Sequence, residues 1–356
     1  ATTVTLGSVA YPMLAKAGYS KEAAGGLLSA GGIGAILSPP VLGAAAFLIA
    51  EFLKISYLDV IIMATIPTIL YYWAIFLMVE FDAKKFGATA VAFERTQSLG
   101  QLTRLYGFHF SSLIAIIVIM VLGFTPIMAV FWSTVIAFGV SFIRPETALF
   151  PRKLVAALRG GSIGVLSVAA TCASAGIIVG VTTLTGLGLK FSSIVIEYAG
   201  GNLFLTAVFT ALVVWVVGLA VPVTASYIIC AVIAAPAMIK LGVPEFAAHM
   251  FIFYYSILSE VSPPTALSPF AAAALTGGDP YKTTIQAWKY TLPAFLVPFN
   301  FTLHPDGVAL LLKGSPIDII WTFATALAGI FALAAGMDGW MFKRAKSYER
   351  VVLVVS

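Results

Sequence analysis

The chain has 356 residues, 60% of them hydrophobic and only 10% Asp, Glu, Lys or Arg, with a net charge of +5. A soluble domain carries about 25% charged residues, and no soluble fold could hide this much apolar surface. These figures exclude a soluble enzyme, a nucleic-acid binder and a disordered chain, and the long continuous apolar runs indicate an all-α polytopic membrane protein, not a barrel.

In chain order, residues 1–16 form an apolar helical stretch ending at Lys16. Residues 22–54 form a second, interrupted at Ser38-Pro39-Pro40. A span over 56–79 closes at Glu80 and Asp82, and a polar stretch with Lys84, Lys85, Arg95 and Arg104 follows. Spans over 106–123 and 126–143 are separated by a Gly123–Pro126 turn. A second polar stretch carries Arg144, Arg152, Lys153 and Arg159. Residues 162–183 span again, and the short amphipathic run 189–199 suits the interface. Runs 203–217 and 226–241 flank a Gly/Pro break, and 243–275 is broken at Ser262-Pro263-Pro264. Spans over 284–303 and 315–336 complete the set, before a basic tail with Lys343, Arg344, Lys346 and Arg350.

Charge orients these spans. With 80–104 and 144–160 in the cytoplasm, and with 1–16 and the break at 217–226 as half-membrane excursions, 16 of the 20 Lys and Arg fall inside. Lys54, Lys190, Lys240 and Lys313 fall outside. This asymmetry agrees with the positive-inside rule.

Residues 1–50 align without a gap onto 225–274, an offset of 224 with 12 identical positions, among them Pro12/Pro236, Lys16/Lys240, Gly18/Gly242 and the whole Ser-Pro-Pro triplet. The topology puts Lys16 inside and Lys240 outside, so the copies are inverted. Inverted repeats with paired broken helices mark a secondary transporter whose site lies at midplane between them.

The breaks have a definite chemistry. Pro39 and Pro40 remove two backbone donors, and Ser38 is expected to cap a restarting helix. Gly43 and the alanines after it permit close backbone approach. The second copy, Ser262, Pro263 and Pro264, adds Thr265, Ser268 and a further break at Pro269. Freed carbonyls suit Na⁺, and freed amides suit an anion. The run containing Gly218, Pro222, Thr224 and Ser226 reads as the tip of a re-entrant hairpin. By the repeat, Thr2 and Thr3 are the remnant of a matching first hairpin.

Glu260 precedes the second break, and its counterpart is Ile36. It reads as a proton, ion or substrate group, or as a paired or cavity-solvated residue. The Tyr71-Tyr72-Trp73 cluster reads as packing or interfacial belt. Thr182, Thr183 and Thr185 either line a cavity or bond back to their own helix. Cys172 and Cys230 lie in apolar runs, and the three histidines have no ligand spacing, so neither a disulfide nor a resident metal is expected. No nucleophile–base pair is visible at depth, so no enzyme activity is expected.

Segments Gly34–Phe47, Ala173–Gly186, Ser262–Thr265 and Gly277–Tyr281 resemble the large membrane subunit of tripartite ATP-independent periplasmic (TRAP) transporters. The TAXI type, with small and large subunits fused, is the nearest in pattern. The resemblance implies an elevator mechanism, Na⁺ as coupling ion and import of a small organic anion, a carboxylate. It implies a periplasmic TAXI-type substrate-binding protein as partner, and a bacterial cytoplasmic (inner) membrane location. It maps the second hairpin tip to Gly218–Ser226 and the unwound helices to Ser38–Pro40 and Ser262–Thr265.

On this reading, residues 1–79 are the first transport repeat and 80–161 are scaffold helices with cytoplasmic segments. Residues 162–303 are the second repeat, and 304–356 a C-terminal membrane helix and basic tail. The family's small subunit, early helices and most of the first hairpin would lie upstream, so the chain alone is not expected to transport. A binding-protein-independent Na⁺/dicarboxylate symporter is the alternative, because the inverted repeat is common to both.

Overall fold

The computed structural model describes residues 2–88 and 98–355; Arg95, named above, lies outside the described residues. The described chain is helical and has no strand. In order come α1 (Thr2–Lys16), α2 (Lys21–Leu37), α3 (Ala45–Leu53), α4 (Tyr57–Phe86), α5 (Leu99–Tyr106), α6 (Ser111–Val121) and α7 (Pro126–Ser141). Then follow α8 (Pro151–Leu184), α9 (Leu187–Tyr198), α10 (Leu203–Gly218), α11 (Val223–Ile233), α12 (Ala235–Lys240) and α13 (Glu245–Leu258). Last are α14 (Leu267–Thr276), α15 (Pro280–Leu303), α16 (Pro316–Asp338) and α17 (Ser347–Val355).

Among the described residues, Tyr57–Phe86, Leu99–Val121, Pro151–Leu184, Val223–Lys240 and Pro316–Asp338 are long and apolar enough to cross a membrane. The chain is an all-α, multi-pass membrane protein. Local chemistry sets the helix starts. Ser20, Asn202, Asp279 and Ser315 each cap a helix through a side-chain oxygen, and Pro280 and Pro316 occupy first turns where no amide is needed.

Several boundaries differ from the sequence reading. Helix α4 runs past Glu80 and Asp82 to Phe86, and α8 begins at Pro151, so Arg152, Lys153 and Arg159 are helical. Charges at a span's end do not stop a helix whose backbone bonds are internal. Pro269 makes no break, because it sits in the first turn of α14, where its missing amide costs nothing. Helix α9 packs on α11 and α12, and its buried Ser192 reaches the Ile233 carbonyl at 3.1 Å. Of the basic tail, Arg350 lies in α17, and Lys343, Arg344 and Lys346 precede that helix.

The chain divides into two compact units. The smaller comprises Ser56–Leu58 and Ala92–Ala173. In it α6 and α7 form a hairpin across Gly123, whose φ of +89° suits glycine, and Thr125 caps α7. Its apolar side chains, such as Ile114, Val121, Ile127 and Phe131, are exposed, as lipid-facing positions are. An apolar groove of about 840 Å³ in this unit is lined by residues such as Phe138, Leu149 and Leu158.

The larger unit, Ala1–Ile55, Asp59–Val91 and Ser174–Ser356, holds both repeats. The offset of 224 persists in three dimensions. Helix α2 covers 21–37, and its counterpart, α13 plus the 3-10 turn Ser259–Val261, covers 245–261. Gly18 and Gly242 share a left-handed conformation, with φ of +95° and +94°. Correspondence extends to α4 and α15, beyond the 50 residues that align by sequence.

Packing is reciprocal. Helix α1 lies on α2 and α14, whereas α11 lies on α13 and α3. Each first half-helix thus packs with the other repeat's second half-helix in one body. The copies also point opposite ways along α4, which is about 45 Å long. After Lys16, the Tyr19 hydroxyl donates to the Val79 carbonyl near the C-terminal end of α4. His249, one turn into the helix after Lys240, meets Phe52 just before the N-terminal end of α4.

Close contact between α2 and α15 rests on Gly26. A β-carbon there would lie 2.5 Å from Gln286 Cβ and 2.8 Å from the Ala287 amide nitrogen. Gly31 on the same helix has open space. Gly26→Ala is therefore expected to lower stability by about 1–3 kcal/mol through backbone displacement. Gly31→Ala is expected to leave it unchanged or raise it by up to about 1 kcal/mol through helix propensity. Thermal melts in detergent compare the two.

Candidate ion and substrate site at the two broken helices

At the first break α2 stops at Leu37, and α3 does not start until Ala45. Ser38 is extended, as a residue before proline must be. Its hydroxyl donates back to the Gly34 carbonyl at 2.6 Å. At the second break the Ser262 hydroxyl donates to the Leu258 carbonyl at 2.8 Å. Gly34 and Leu258 are themselves equivalent by the repeat. Both serines therefore close the helix behind them and do not cap the one ahead, contrary to the sequence reading. Two consecutive prolines keep the chain extended, and the restarts at Ala45 and Leu267 lie out of a serine's reach. The Pro39–Pro40 and Pro263–Pro264 bonds are both cis.

The freed carbonyls of the first break have further partners. The Gly43 amide donates to the Ile36 carbonyl at 2.9 Å, so Gly43 closes the break. Thr68 of α4 donates to the buried Leu37 carbonyl at 2.7 Å. The Tyr72 hydroxyl is hydrogen-bonded to Ser38 at 3.1 Å, and Tyr71 donates to the Ala30 carbonyl at 2.7 Å, two turns before the break inside α2. Thr68, Tyr71 and Tyr72 share one face of α4. That spacing was the available signal for a role the sequence reading assigned to packing.

The second break is built differently. The Trp288 indole of α15 donates to Ser262 Oγ at 3.1 Å, and Trp215 of α10 lies beside it at 5.9 Å between ring centroids. The hairpin of α10 and α11 reaches this point. A β-carbon on Gly218 would overlap the Ser259 side chain and lie 3.2 Å from Ser226 Oγ, so Gly218, Ser226 and Ser259 converge. Ser226 is fully buried, and its hydroxyl has no nitrogen or oxygen partner among the described residues; the weakly accepting Cys230 thiol lies beside it. Glu260, next to Ser259, is half-buried and forms no ion pair among the described residues.

The remaining predicted residues lie around these groups. Thr3 is buried and hydrogen-bonded to Ser268 Oγ at 2.7 Å, which brings the start of α1 to the second half-helix of the other repeat. Thr2 is exposed. Thr224 and Pro263 are half-buried, whereas Pro222, Pro264 and Thr265 are exposed at the rim. Helix α2 also packs against the Ser259–Val261 turn, so the two breaks are neighbours. Hydroxyls and carbonyls dominate the set. Such hard oxygen donors suit a small monovalent cation, and among the described residues no cationic side chain supplies a fixed anion contact there.

The family model described as "Tripartite ATP-independent periplasmic transporter, DctM component" matches residues 1–306. The match covers both repeats through α15 and ends before α16. No curated protein matches the chain.

Thr68→Val would strip the buried Leu37 carbonyl of its donor at nearly constant volume. A stability loss of about 1–3 kcal/mol is expected, the desolvation cost of an unsatisfied polar group. Thr68→Ser, which keeps the hydroxyl, is expected to retain most of it. Melting temperatures of the two variants in detergent make the comparison.

Proposed function

The chain belongs to the DctM family, the large membrane component of TRAP transporters, and we propose that it is the permease of a Na⁺-coupled, binding-protein-dependent importer of a small organic anion, a carboxylate. Membership makes it a transporter component, one of a kind that works with a periplasmic binding protein and a small membrane subunit. The finer reading is a TAXI-type permease of the bacterial inner membrane, with the small subunit fused upstream. One observation carries the coupling: Ser226, buried with only the weakly accepting Cys230 thiol as a partner among the described residues, converges with Ser259 on Gly218 beside an interrupted helix. A buried hydroxyl so weakly partnered costs free energy unless it gains a ligand when the protein works.

The packing supports the elevator reading. Helix halves from opposite repeats are shared within one body, so both breaks would travel together. Na⁺ at the hairpin tip would draw Gly218 and Ser226 onto the Ser259–Val261 turn and close the hairpin over the substrate. Glu260 would then tune the charge beside the ion.

Purified protein melted in NaCl, and in KCl or choline chloride at equal ionic strength, tests the ion. A saturable Na⁺-specific rise is expected, worth about 2.7 kcal/mol at a hundredfold excess over Kd. Ser226→Ala and Gly218→Val should each reduce it. Equal melting in all three salts would contradict Na⁺ coupling. Uptake by the permease reconstituted together with its small membrane subunit should require the binding protein, and uptake without it would favour a binding-protein-independent symporter.

A further inference from the structure

A second group of buried charges lies at the far end of α4, away from the breaks. Asp82 and Asp338 have side chains 1% and 0% exposed, and both contact the ammonium of Lys289. Lys289 Nζ lies 2.6 Å from each oxygen of Asp82, and the Tyr290 hydroxyl donates to Asp82 Oδ2 at 2.6 Å. Asp82 thus accepts three hydrogen bonds, two from Lys289 and one from Tyr290. Asp338 is placed otherwise. Its Oδ1 rests against the Lys289 ammonium, and no other donor among the described residues reaches either of its oxygens.

The surrounding charges are accounted for. Lys85 donates to the main-chain carbonyl of Asp338 at 2.8 Å, not to its carboxylate. Glu80 is paired with Lys84 at 3.0 Å on the exposed side of α4. Arg350 of α17 donates to the Gly336 and Met337 carbonyls. Tyr19, in the turn before α2, donates to the Val79 carbonyl. Burial, with Asp82, Asp338 and Glu80 adding to it, pushes the Tyr19 phenol up to about 12, as negative surroundings would. A cavity of about 250 Å³, lined by Tyr19, Ser20 and Asp82 among others, adjoins the group.

We propose that Asp82, Lys289 and Asp338 form a proton-binding site, separate from the broken helices, in which Asp338 takes the proton. Two carboxylates on one ammonium repel each other in a buried setting. A proton from water forms an O–H bond on Asp338, and Lys289 keeps its protons and its pair with Asp82. Asp338 then donates a hydrogen bond where it had none to give. Charged groups within membrane segments are characteristic of proton pathways. Trp288, the residue before Lys289 on α15, is hydrogen-bonded to Ser262 of the second break. Asp338 lies on α16, beyond the residues matched by the family model, whereas Asp82 and Lys289 lie within them. The proposal does not rest on Na⁺ coupling, and an absence of Na⁺ dependence leaves it intact.

Infrared difference spectra of the purified full chain, stepped from neutral to mildly acidic pH, test it. Wild-type protein should gain the carbonyl stretch of one protonated carboxyl group. Asp338→Asn should lose that band, and Glu260→Gln should keep it. If Asp338→Asn does not fold, Asp338→Glu should keep the band at a shifted frequency. A band unaltered by substitution at Asp338, or its absence from wild type, would overturn the proposal.

Discussion

A helix interrupted at membrane depth leaves carbonyls and amides with no water to bind them. Each such group costs several kcal/mol in hydrocarbon, so the surrounding structure must supply a partner. The larger unit is arranged around this requirement. Ser38 and Ser262 return their hydroxyls to the helix they end, and α4 brings Thr68 to the Leu37 carbonyl. Packing each half-helix against the other repeat keeps this backbone inside protein. Gly26 and Gly32 let the helices approach closely enough; Gly32 leaves the space that Thr3 fills.

Two copies of one device have diverged where function would require it. Thr68, Tyr71 and Tyr72 serve the first break from α4, but their equivalents on α15 are Leu292, Phe295 and Leu296, which have no donor to offer. The second break gains Trp288, Glu260 and the hairpin tip at Gly218 instead. The first break is thereby the better satisfied of the two. The second has the buried Ser226 hydroxyl, with only the Cys230 thiol beside it, and the half-buried Glu260, which forms no ion pair among the described residues.

The sequence made the class and the repeat legible because both rest on strong local signals. Apolar runs report membrane spans, and two Ser-Pro-Pro triplets at a common offset report paired breaks. The role of each serine was not legible, because N-cap and C-cap serines differ only in the backbone that follows them. Thr68 and Tyr72 were missed because their partners lie more than thirty residues away. Asp82 read as a charge that closes a span, yet it is buried within a longer helix, since Lys289 and Tyr290 from a distant helix close over it. Tertiary partners of this kind leave no trace in local pattern.

The central claim is that the two repeats are inverted, with their breaks meeting in one body. Lys16 and Lys240 are equivalent by the repeat, both exposed, and lie toward opposite ends of α4. The most direct test labels single-cysteine variants Lys16→Cys and Lys240→Cys in oriented membranes with a membrane-impermeant thiol reagent, in the background Cys172→Ser with Cys230→Ser. The account predicts labelling of the two from opposite sides, Lys16→Cys from the cytoplasm. Labelling of both from the same side would contradict it.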